Sequence, residues 1–326
     1  MRIPPPASHI ISPAFGQTVA SLRESLTRTA EEATTGRYSD LTAQLSGRIG
    51  TAMLSQKAVE DIGLRREQLS LREGRLEVTQ RSLTLINERV AGLDTKMRDA
   101  VISKDQRLQG LTARDAEAAL GQVFNLVNVR FGERFLFAGD ATDTQPLGSP
   151  GDLLDVIRNL ADVSASSTDF AVALDTYFNA PGGGWQTSAL RSAINASDPD
   201  AVTANDASIV KLISGLAVMA LSDPASSPAL FRTNPEISLA GAEQVSAGLS
   251  DLTNLRADRG VTQSQIEMEK ASLDIEETIF TKELNSLWAR DQYEAATALK
   301  QLETALEASF MITSRLSSLS LLNFLR

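Results

Sequence analysis

Residues 62–100 read IGLRREQ-LSLREGR-LEVTQRS-LTLINER-VAGLDTK-MRDA, and every one of these blocks begins with an apolar side chain. The later blocks carry a second apolar residue three positions after the first. This seven-residue repeat places apolar side chains along one helix face and is typical of helices that supercoil around a partner. The predicted seam of this first arm is Ile62, Leu69, Leu76, Leu83, Ile86, Val90, Leu93 and Met97.

A second arm near the other end of the chain repeats the pattern. Its predicted seam is Ile266, Leu273, Phe280 and Leu287. Proline costs about 3 kcal/mol inside a helix, and residues 14–145 and 236–326 contain none. The two arms therefore predict a mainly α fold, in which they form an elongated antiparallel coiled-coil rod.

The chain between the arms has a different composition, because residues 140–235 hold seven of the eleven prolines. Apolar spacing predicts helices over residues 152–165 and 208–221. Residues 185–190 and 200–204 suit short strands. Residues 140–235 are therefore expected to form a small α/β middle domain inserted in the rod.

Two shorter features follow the first seam. Thr112 is the predicted N-cap of a helix over residues 112–133, because its hydroxyl can accept a hydrogen bond from a free backbone N–H. The Phe135-Leu136-Phe137 segment is predicted to form a short strand or an extended docking segment before a turn.

The composition excludes several classes of function. The chain has no cysteine and a single histidine, His9, which excludes thiolate metal sites, cysteine nucleophiles and multi-histidine metal centres. Its net charge of −10 opposes binding to phosphate backbones. No uncharged apolar stretch reaches the roughly 18 residues of a membrane-spanning helix, and the N-terminus lacks the pattern of a secretory signal peptide. We expect no enzyme, no cofactor and no metal site.

The C-terminal tail is the feature that points to function. Residues 308–325 carry a single charge, Arg315, and a lone helix this apolar would expose a sticky stripe to water. Such a stripe is expected to be buried between subunits. The predicted subunit interface is Leu299, Leu302, Leu306, Phe310, Leu316, Leu319, Leu322 and Phe324.

The patterns together predict three divisions of the chain. Residues 1–40 with 290–326 form terminal helices that are disordered until assembly, because they are amphipathic but lack partners. Residues 41–139 with 236–289 form the coiled-coil rod. Residues 140–235 form the middle domain, which faces outward.

Several stretches of both arms carry a resemblance to a known family. They are YEAA at 293–296, LETALEAS at 302–309, LSSLSLLNFL at 316–325, Thr35-Gly36-Arg37, and FLFAGDATDTQP at 135–146. These stretches resemble the flagellin superfamily of bacterial flagella. The ending Ser-Leu-Leu-Asn-Phe-Leu is closer to the hook–filament junction branch, the hook-associated protein 3 family, than to filament subunits.

The chain departs from the flagellin pattern at two places. Tyr38-Ser39-Asp40-Leu41 stands where the family usually carries an Asp-Asp pair after the first-arm glycine. A proline-rich start, Pro4-Pro5-Pro6, replaces the Asn-rich opening of true flagellins. The second departure favours a junction protein over a filament subunit.

The resemblance implies an extracellular structural component at the hook–filament junction of the bacterial flagellum. It implies export through the flagellar type III apparatus without a cleaved signal peptide. The implied partners are hook-associated protein 1, flagellin, an export chaperone and copies of the chain itself in a ring. Neither a nucleic acid nor a membrane is among the expected partners.

Two other interpretations of the sequence stay open. The chain could be a flagellin filament subunit, which would polymerise by itself into long filaments. It could also be a coiled-coil binding module secreted by an export system, which would bind host targets and be found off the flagellum.

Overall fold

The computed structural model describes residues 8–187 and 201–324, with side chains for residues 16–187 and 201–315. Helices account for 78% of the structure, which confirms the predicted mainly α fold. In chain order the helices are α1 (Ser8–Thr35), α2 (Leu41–Gln44), α3 (Ile49–Val90), α4 (Leu93–Ile102), α5 (Gln106–Val127), α6 (Pro150–Val163), α7 (Ser167–Asn179), α8 (Gly184–Thr187), α9 (Ala207–Ala220), α10 (Ala229–Thr233), α11 (Glu236–Trp288) and α12 (Gln292–Phe324). Two strands, β1 (Arg130–Phe131) and β2 (Arg134–Phe135), form an antiparallel hairpin.

The chain divides into two compact units. The terminal unit comprises Met1–Arg66 and Ala271–Arg326, and the central unit comprises Glu67–Lys270. Helices α3 and α11 contribute residues to both units. The three-part division expected from the sequence stays a prediction.

In the terminal unit, α1 and α12 pack against each other in opposite directions. Near the end of α1, Glu32 forms an ion pair with Arg290, which lies two residues before the start of α12. Further back along α1, the guanidinium of Arg23 lies 5.4 Å from the ring centroid of Phe310. Late residues of α1 therefore lie beside early residues of α12, and we call α1 and α12 the terminal helix pair.

The terminal unit also contains the first part of α3 and the last part of α11, which contact each other through side chains. The Ser55 hydroxyl donates a 3.1 Å hydrogen bond to the Glu283 carboxylate, and Arg66 is ion-paired with Asp274 at 3.1 Å. Beside these contacts lies a small apolar cluster of Leu45, Ala52 and Leu287, with Trp288 packed against it.

In the central unit, the remaining parts of α3 and α11 are also antiparallel. Lys270 Nζ lies 2.7 Å from the Glu73 carboxylate. The Gln80 amide donates a 2.8 Å hydrogen bond to the backbone carbonyl of Arg256. As the residue number rises along α3, it falls along α11, so the predicted antiparallel pairing of the arms is confirmed within each unit.

The central unit encloses a large continuous apolar core. The core draws side chains from α3, α4, α5, α6, α7, α9 and α11. Its largest side chains with less than 2% exposure include Phe124, Phe137, Ile157, Trp185 and Leu212. Burying each of these contributes roughly 1.5–3 kcal/mol relative to leaving it exposed, so this unit carries its own stability.

Helices α9 and α11 approach each other closely where both carry glycine. A Cβ on Gly215 would lie 2.7 Å from the carbonyl oxygen of Gly241 and 2.8 Å from a methyl carbon of Val245. Distances this short are not tolerated between real atoms, so the crossing requires a residue without a side chain at position 215.

The hairpin and the segment after it join α5 to the core. Phe131 pairs with Arg134, and Gly132 between them has a φ of +61°, a left-handed conformation that favours glycine in tight hairpin turns. Phe135 ends β2, whereas Phe137 is fully buried in the core. The segment predicted from Phe135 to Phe137 therefore pairs as a strand at its start and docks at its end.

The first-arm seam belongs to two helices rather than one. Helix α3 ends at Val90 and α4 begins at Leu93. Gly92 between them has a φ of +80°, which breaks the helix because the left-handed region is incompatible with continuous α-helical geometry.

The predicted cap of the next helix is wrong. Helix α5 begins after Asp105, whose carboxylate accepts 3.0 Å hydrogen bonds from the backbone N–H groups of Arg107 and Leu108. Thr112 is buried inside the helix, and its hydroxyl donates to the Leu108 carbonyl instead. Aspartate is at least as good a cap as threonine, and Asp105 precedes Thr112 by seven residues, which is about two helical turns.

The regular structure described within residues 140–235 is all helical, which corrects the expected α/β domain. Helices α6 and α9 confirm the two predicted helical stretches. Trp185, expected in a strand, lies in the single turn of α8, and residues 201–204 form no strand. The rest of both expected strands, residues 188–190 and 200, lies outside the described residues. A Cβ on Gly183 would lie 2.5 Å from the Thr176 carbonyl oxygen, so the glycine run here turns the chain back onto α7.

No helix among the described residues combines the length and the apolar character that crossing a membrane requires.

Candidate functional site

The residues of the predicted seams lie mostly inside the protein. In the central unit, Leu83, Ile86, Val90 and Met97 are completely inaccessible to solvent, and Leu69, Leu93 and Ile266 are buried. In the terminal unit, Ile62 and Leu287 are buried, whereas Leu273 and Phe280 are half-buried. Leu76 is also half-buried.

The predicted interface residues lie on α12, and they have intermediate exposure. Leu299, Leu302 and Leu306 are half-buried, and Phe310 is 44% exposed. The other four predicted residues fall in the same helix, but their side chains lie outside the described part of the chain. These four are Leu316, Leu319, Leu322 and Phe324.

The half-buried leucines of α12 have counterparts on α1. Val19, Leu22, Leu26 and Ala33 recur at spacings of three, four and seven residues and are half-buried, and Thr29 between them is buried. Spacing of this kind lines one helix face. The two helices thus cover one apolar face of each other, but two helices alone cannot enclose it.

A second set of apolar side chains on α12 remains on the surface. Tyr293 is 83% exposed, Met311 is 62% exposed and Ile312 is 48% exposed. With Phe310, they place large apolar groups on solvent-facing parts of the helix. Contiguous exposed apolar groups are typical of surfaces that a partner covers, and Phe310, Met311 and Ile312 are consecutive, whereas Tyr293 lies about five turns earlier in the helix.

A buried ionic contact closes the base of the terminal helix pair. Glu32 is 3% exposed and is ion-paired with Arg290. The second oxygen of the same carboxylate accepts a 3.0 Å hydrogen bond from the backbone N–H of Ser39 and a 3.3 Å bond from its hydroxyl. The guanidinium of Arg290 also lies 5.3 Å from the ring centroid of Tyr38. A carboxylate with this many donors can remain charged although it is buried.

The backbone around this ion pair is fixed as well. Arg37 and Ala289 form an antiparallel β-bridge. The Arg290 N–H donates a 3.0 Å bond to the Gly36 carbonyl, and the Tyr38 N–H donates a 3.1 Å bond to the Trp288 carbonyl. Together with the Glu32–Arg290 pair, these bonds fix how α1 enters the helix pair relative to α12, and we call them the joint.

Sequence reasoning did not find the joint, because Glu32 and Arg290 are 258 positions apart. A visible signal was the Thr35-Gly36-Arg37 turn, in which Gly36 has a φ of +67°. A left-handed glycine after a long helix marks a helix end, but it does not identify the partner across the chain.

The described side chains contain no group of three or more His, Asp or Glu residues that could hold a metal ion. The terminal unit offers exposed apolar side chains on α12 and a fixed joint.

The C-terminal part of the chain matches a known family. Residues 243–325, about a quarter of the chain, match the family model for the bacterial flagellin C-terminal helical region. The match covers most of α11 and nearly all of α12, and it supports a place in the flagellin superfamily. No curated protein sequence gives a significant match to the chain.

Proposed function

We propose that the chain is a structural component of the bacterial flagellum that joins the hook-side junction protein to the flagellin filament. The match to the flagellin C-terminal helical region supports a flagellar structural component. Beyond that match, we place the chain at the junction, as in the hook-associated protein 3 family. In this proposal the terminal helix pair makes the contacts with neighbouring subunits.

One observation carries the proposal. The terminal helix pair leaves Phe310, Met311 and Ile312 exposed, although α12 already packs against α1. A helix pair with apolar groups on both its inner and outer faces is satisfied only when further helices cover it. Neighbouring subunits in an array of parallel helix pairs provide that cover, and such an array is what a flagellar component forms.

The sequence favours the junction over the filament. The residues at 320–325, Ser-Leu-Leu-Asn-Phe-Leu, and the proline-rich start both depart from filament flagellins towards junction proteins. On this proposal the neighbours are hook-associated protein 1 on one side, flagellin on the other, and copies of the chain in a ring. An export chaperone would cover the apolar tail before assembly, and the protein would leave the cell by the type III route.

The predicted interface leucines take two roles in this proposal. Leu299, Leu302 and Leu306 pack towards α1 and shape the helix pair, and the outer residues from Phe310 onward meet the next subunit. Leu316, Leu319, Leu322 and Phe324 remain proposed interface residues on the basis of their spacing alone.

The second candidate is a filament subunit. It is favoured by the family match, which is to the flagellin C-terminal region. A filament subunit would polymerise from pure protein into long filaments, whereas a junction protein would not. Seeded and unseeded polymerisation of the purified chain, viewed by electron microscopy, separates the two.

A deletion strain tests the junction role. We expect hooks without filaments, and flagellin monomers in the culture medium, because flagellin is exported but finds no junction on which to polymerise. Hooks without filaments and without exported flagellin would identify the chain as the filament subunit. Normal filaments in the deletion strain would contradict both flagellar roles.

A further inference from the structure

A cleft in the central unit concentrates positive charge in an otherwise acidic protein. The chain has 41 acidic and 31 basic residues. A cleft of about 230 Å³ between α3 and the hairpin is nevertheless lined by Arg72, Arg75 and Arg134. Asp140 also lines it, so the lining residues carry three positive charges and one negative charge. We call this the arginine cleft.

Specific contacts fix the hairpin against α3 and so determine the shape of the arginine cleft. The ring of Phe131 on the hairpin lies so close to α3 that a Cβ on Gly74 would be 3.2 Å from it. The Phe135 N–H donates a 2.7 Å bond to the Thr142 carbonyl, which closes the segment after the hairpin. The guanidinium of Arg130 lies 4.7 Å from the ring centroid of Phe135. These contacts hold Arg134 opposite the arginines of α3.

The same unit carries a matching acidic surface. Helices α6 and α7 contact each other, and residues 150–180 contain five aspartates and a single basic residue, Arg158. All five aspartates are exposed. They are Asp152, Asp155, Asp162, Asp169 and Asp175. We call this the acidic helix pair.

Helix α7 of the acidic helix pair lies far from the arginine cleft of its own chain. Residues of α7 lie beside α11 near residues 236–244, whereas the cleft is bordered by Thr262 of the same helix. Eighteen residues of helix separate positions 244 and 262, which corresponds to roughly 27 Å. The aspartates of α7 therefore do not neutralise the cleft of their own chain, whereas a second copy can present them to it.

We infer that the arginine cleft binds the acidic helix pair of a neighbouring copy of this chain. The inference rests on the proposed function, in which copies stand side by side. Two different surfaces meet in this contact, so it is heterologous, and repeating it builds a ring or a helical array. It also explains how subunits with a net charge of −10 can pack closely, because opposite charges then face each other at the contact.

The first test neutralises the cleft. The variant Arg72→Gln/Arg75→Gln/Arg134→Gln is compared with Arg81→Gln/Arg89→Gln/Arg98→Gln, which has the same change of net charge at exposed positions outside the cleft. We expect the amount of chain in isolated flagella to fall about tenfold for the cleft variant and to stay near wild type for the control. Equal incorporation of the two variants would overturn the proposed contact.

The second test does not depend on how well the neutralised variant folds. Because the chain has no cysteine, Arg134→Cys can be combined in turn with Asp155→Cys, Asp162→Cys or Asp169→Cys, and isolated flagella treated with a short bismaleimide. We expect a ladder of covalent multimers from at least one combination, because each copy is linked to two neighbours. The control, Arg98→Cys combined with the same aspartate changes, is expected to give monomers.

The outcomes separate this contact from the proposed function. Cysteine variants that are present in flagella but give no multimers would overturn the arginine-cleft contact and leave the flagellar role intact. Cross-links to a different protein would overturn the choice of a second copy as the partner. Wild-type chain that is absent from isolated flagella would contradict the proposed function itself.

Discussion

The two units bury their apolar residues to very different degrees. In the central unit, Leu83, Ile86 and Phe124 are at most 1% exposed and belong to one continuous core. In the terminal unit, Leu302 and Leu306 are half-buried, and Met311 is on the surface. The central core is buried within its own fold, whereas on our proposal the apolar residues of the terminal helix pair are fully buried only in an assembly. Mutations of equal size should therefore affect folding in one unit and assembly in the other.

The largest effect is expected from a charge in the central core. Leu83→Asp removes a fully buried side chain and places a carboxylate where no water reaches it. We expect a loss of about 4 kcal/mol or more in the free energy of unfolding, measured by urea denaturation. The exposed Glu77→Ala should change it by less than about 0.5 kcal/mol. Equal midpoints for the two variants would show that this seam is not a core.

The joint is a charged contact of the terminal unit that is nevertheless buried. Arg290→Gln leaves the Glu32 carboxylate, which is 3% exposed, without its cationic partner. We expect a local destabilisation of about 3 kcal/mol, seen as faster proteolysis of α1 and α12 with little change in the central unit. Arg28→Gln breaks the exposed pair with Glu24 and is the matched control, with an expected effect below about 0.5 kcal/mol. Similar proteolysis of both variants would show that the joint does not stabilise the terminal helix pair.

Close packing in the central unit can be tested at a glycine. Gly215→Ala adds a Cβ atom that would lie 2.7 Å from the Gly241 carbonyl oxygen. We expect the free energy of unfolding to fall by about 2 kcal/mol. Gly121 lies in α5 with nothing within 4 Å of a Cβ. Gly121→Ala should therefore stabilise the protein by roughly 0.5–1 kcal/mol. Thermal melting compares the two, and a stabilising Gly215→Ala would contradict the close crossing.

The outer face of α12 should show the opposite behaviour. Met311→Ala/Ile312→Ala changes exposed side chains, so the melting temperature of the free chain should stay within about 1 °C of wild type. Assembly and motility should be lost, with flagellin in the medium, because the missing contacts are those with the next subunit. Glu307→Ala on the same helix is the control. A large fall in melting temperature would place Met311 and Ile312 inside the monomer fold.

The smallest effect concerns the pH dependence of the central unit. Burial raises the pKa of Asp206 above its ordinary 3.8, although a hydrogen bond from the Thr203 N–H and the charge of Arg259 oppose the shift. The folded state then binds more protons than the unfolded state, so stability falls as the pH rises through this range. Asp206→Asn should remove that decline, so the melting temperature of the variant relative to wild type should rise as the pH increases from below 3.8. A difference that is constant with pH would contradict the shift.

The sequence predicted the parts of the fold that depend on local periodicity. The seams and helices α6 and α9 follow from the spacing of apolar residues, which can be read from a short local stretch of the sequence. Gly92 was visible in the sequence, but a lone glycine is tolerated in many helices. The apolar spacing alone therefore did not predict the break between α3 and α4. The Asp105 cap was missed in the same way, because several polar residues near the start of α5 are acceptable caps.

The features that sequence reasoning missed depend on contacts between distant residues. Trp185 was assigned to a strand from its local composition, but the turn at Gly183 returns the chain onto α7 and makes a helical turn there. The joint unites Glu32 with Arg290, and the arginine cleft unites α3 with the hairpin. Neither pairing has a local signature, since it is the fold that brings the partners together.

Amide hydrogen exchange of the free chain and of the chain in isolated flagella tests the difference between the two units most directly. We expect α4, α5 and α9 in the central core to be protected in both states. The terminal helix pair should exchange rapidly in the free chain and slowly in flagella, because neighbouring subunits complete its burial. Equal protection of α1 and α12 in the two states would contradict the account, since the terminal helix pair would then be satisfied without an assembly.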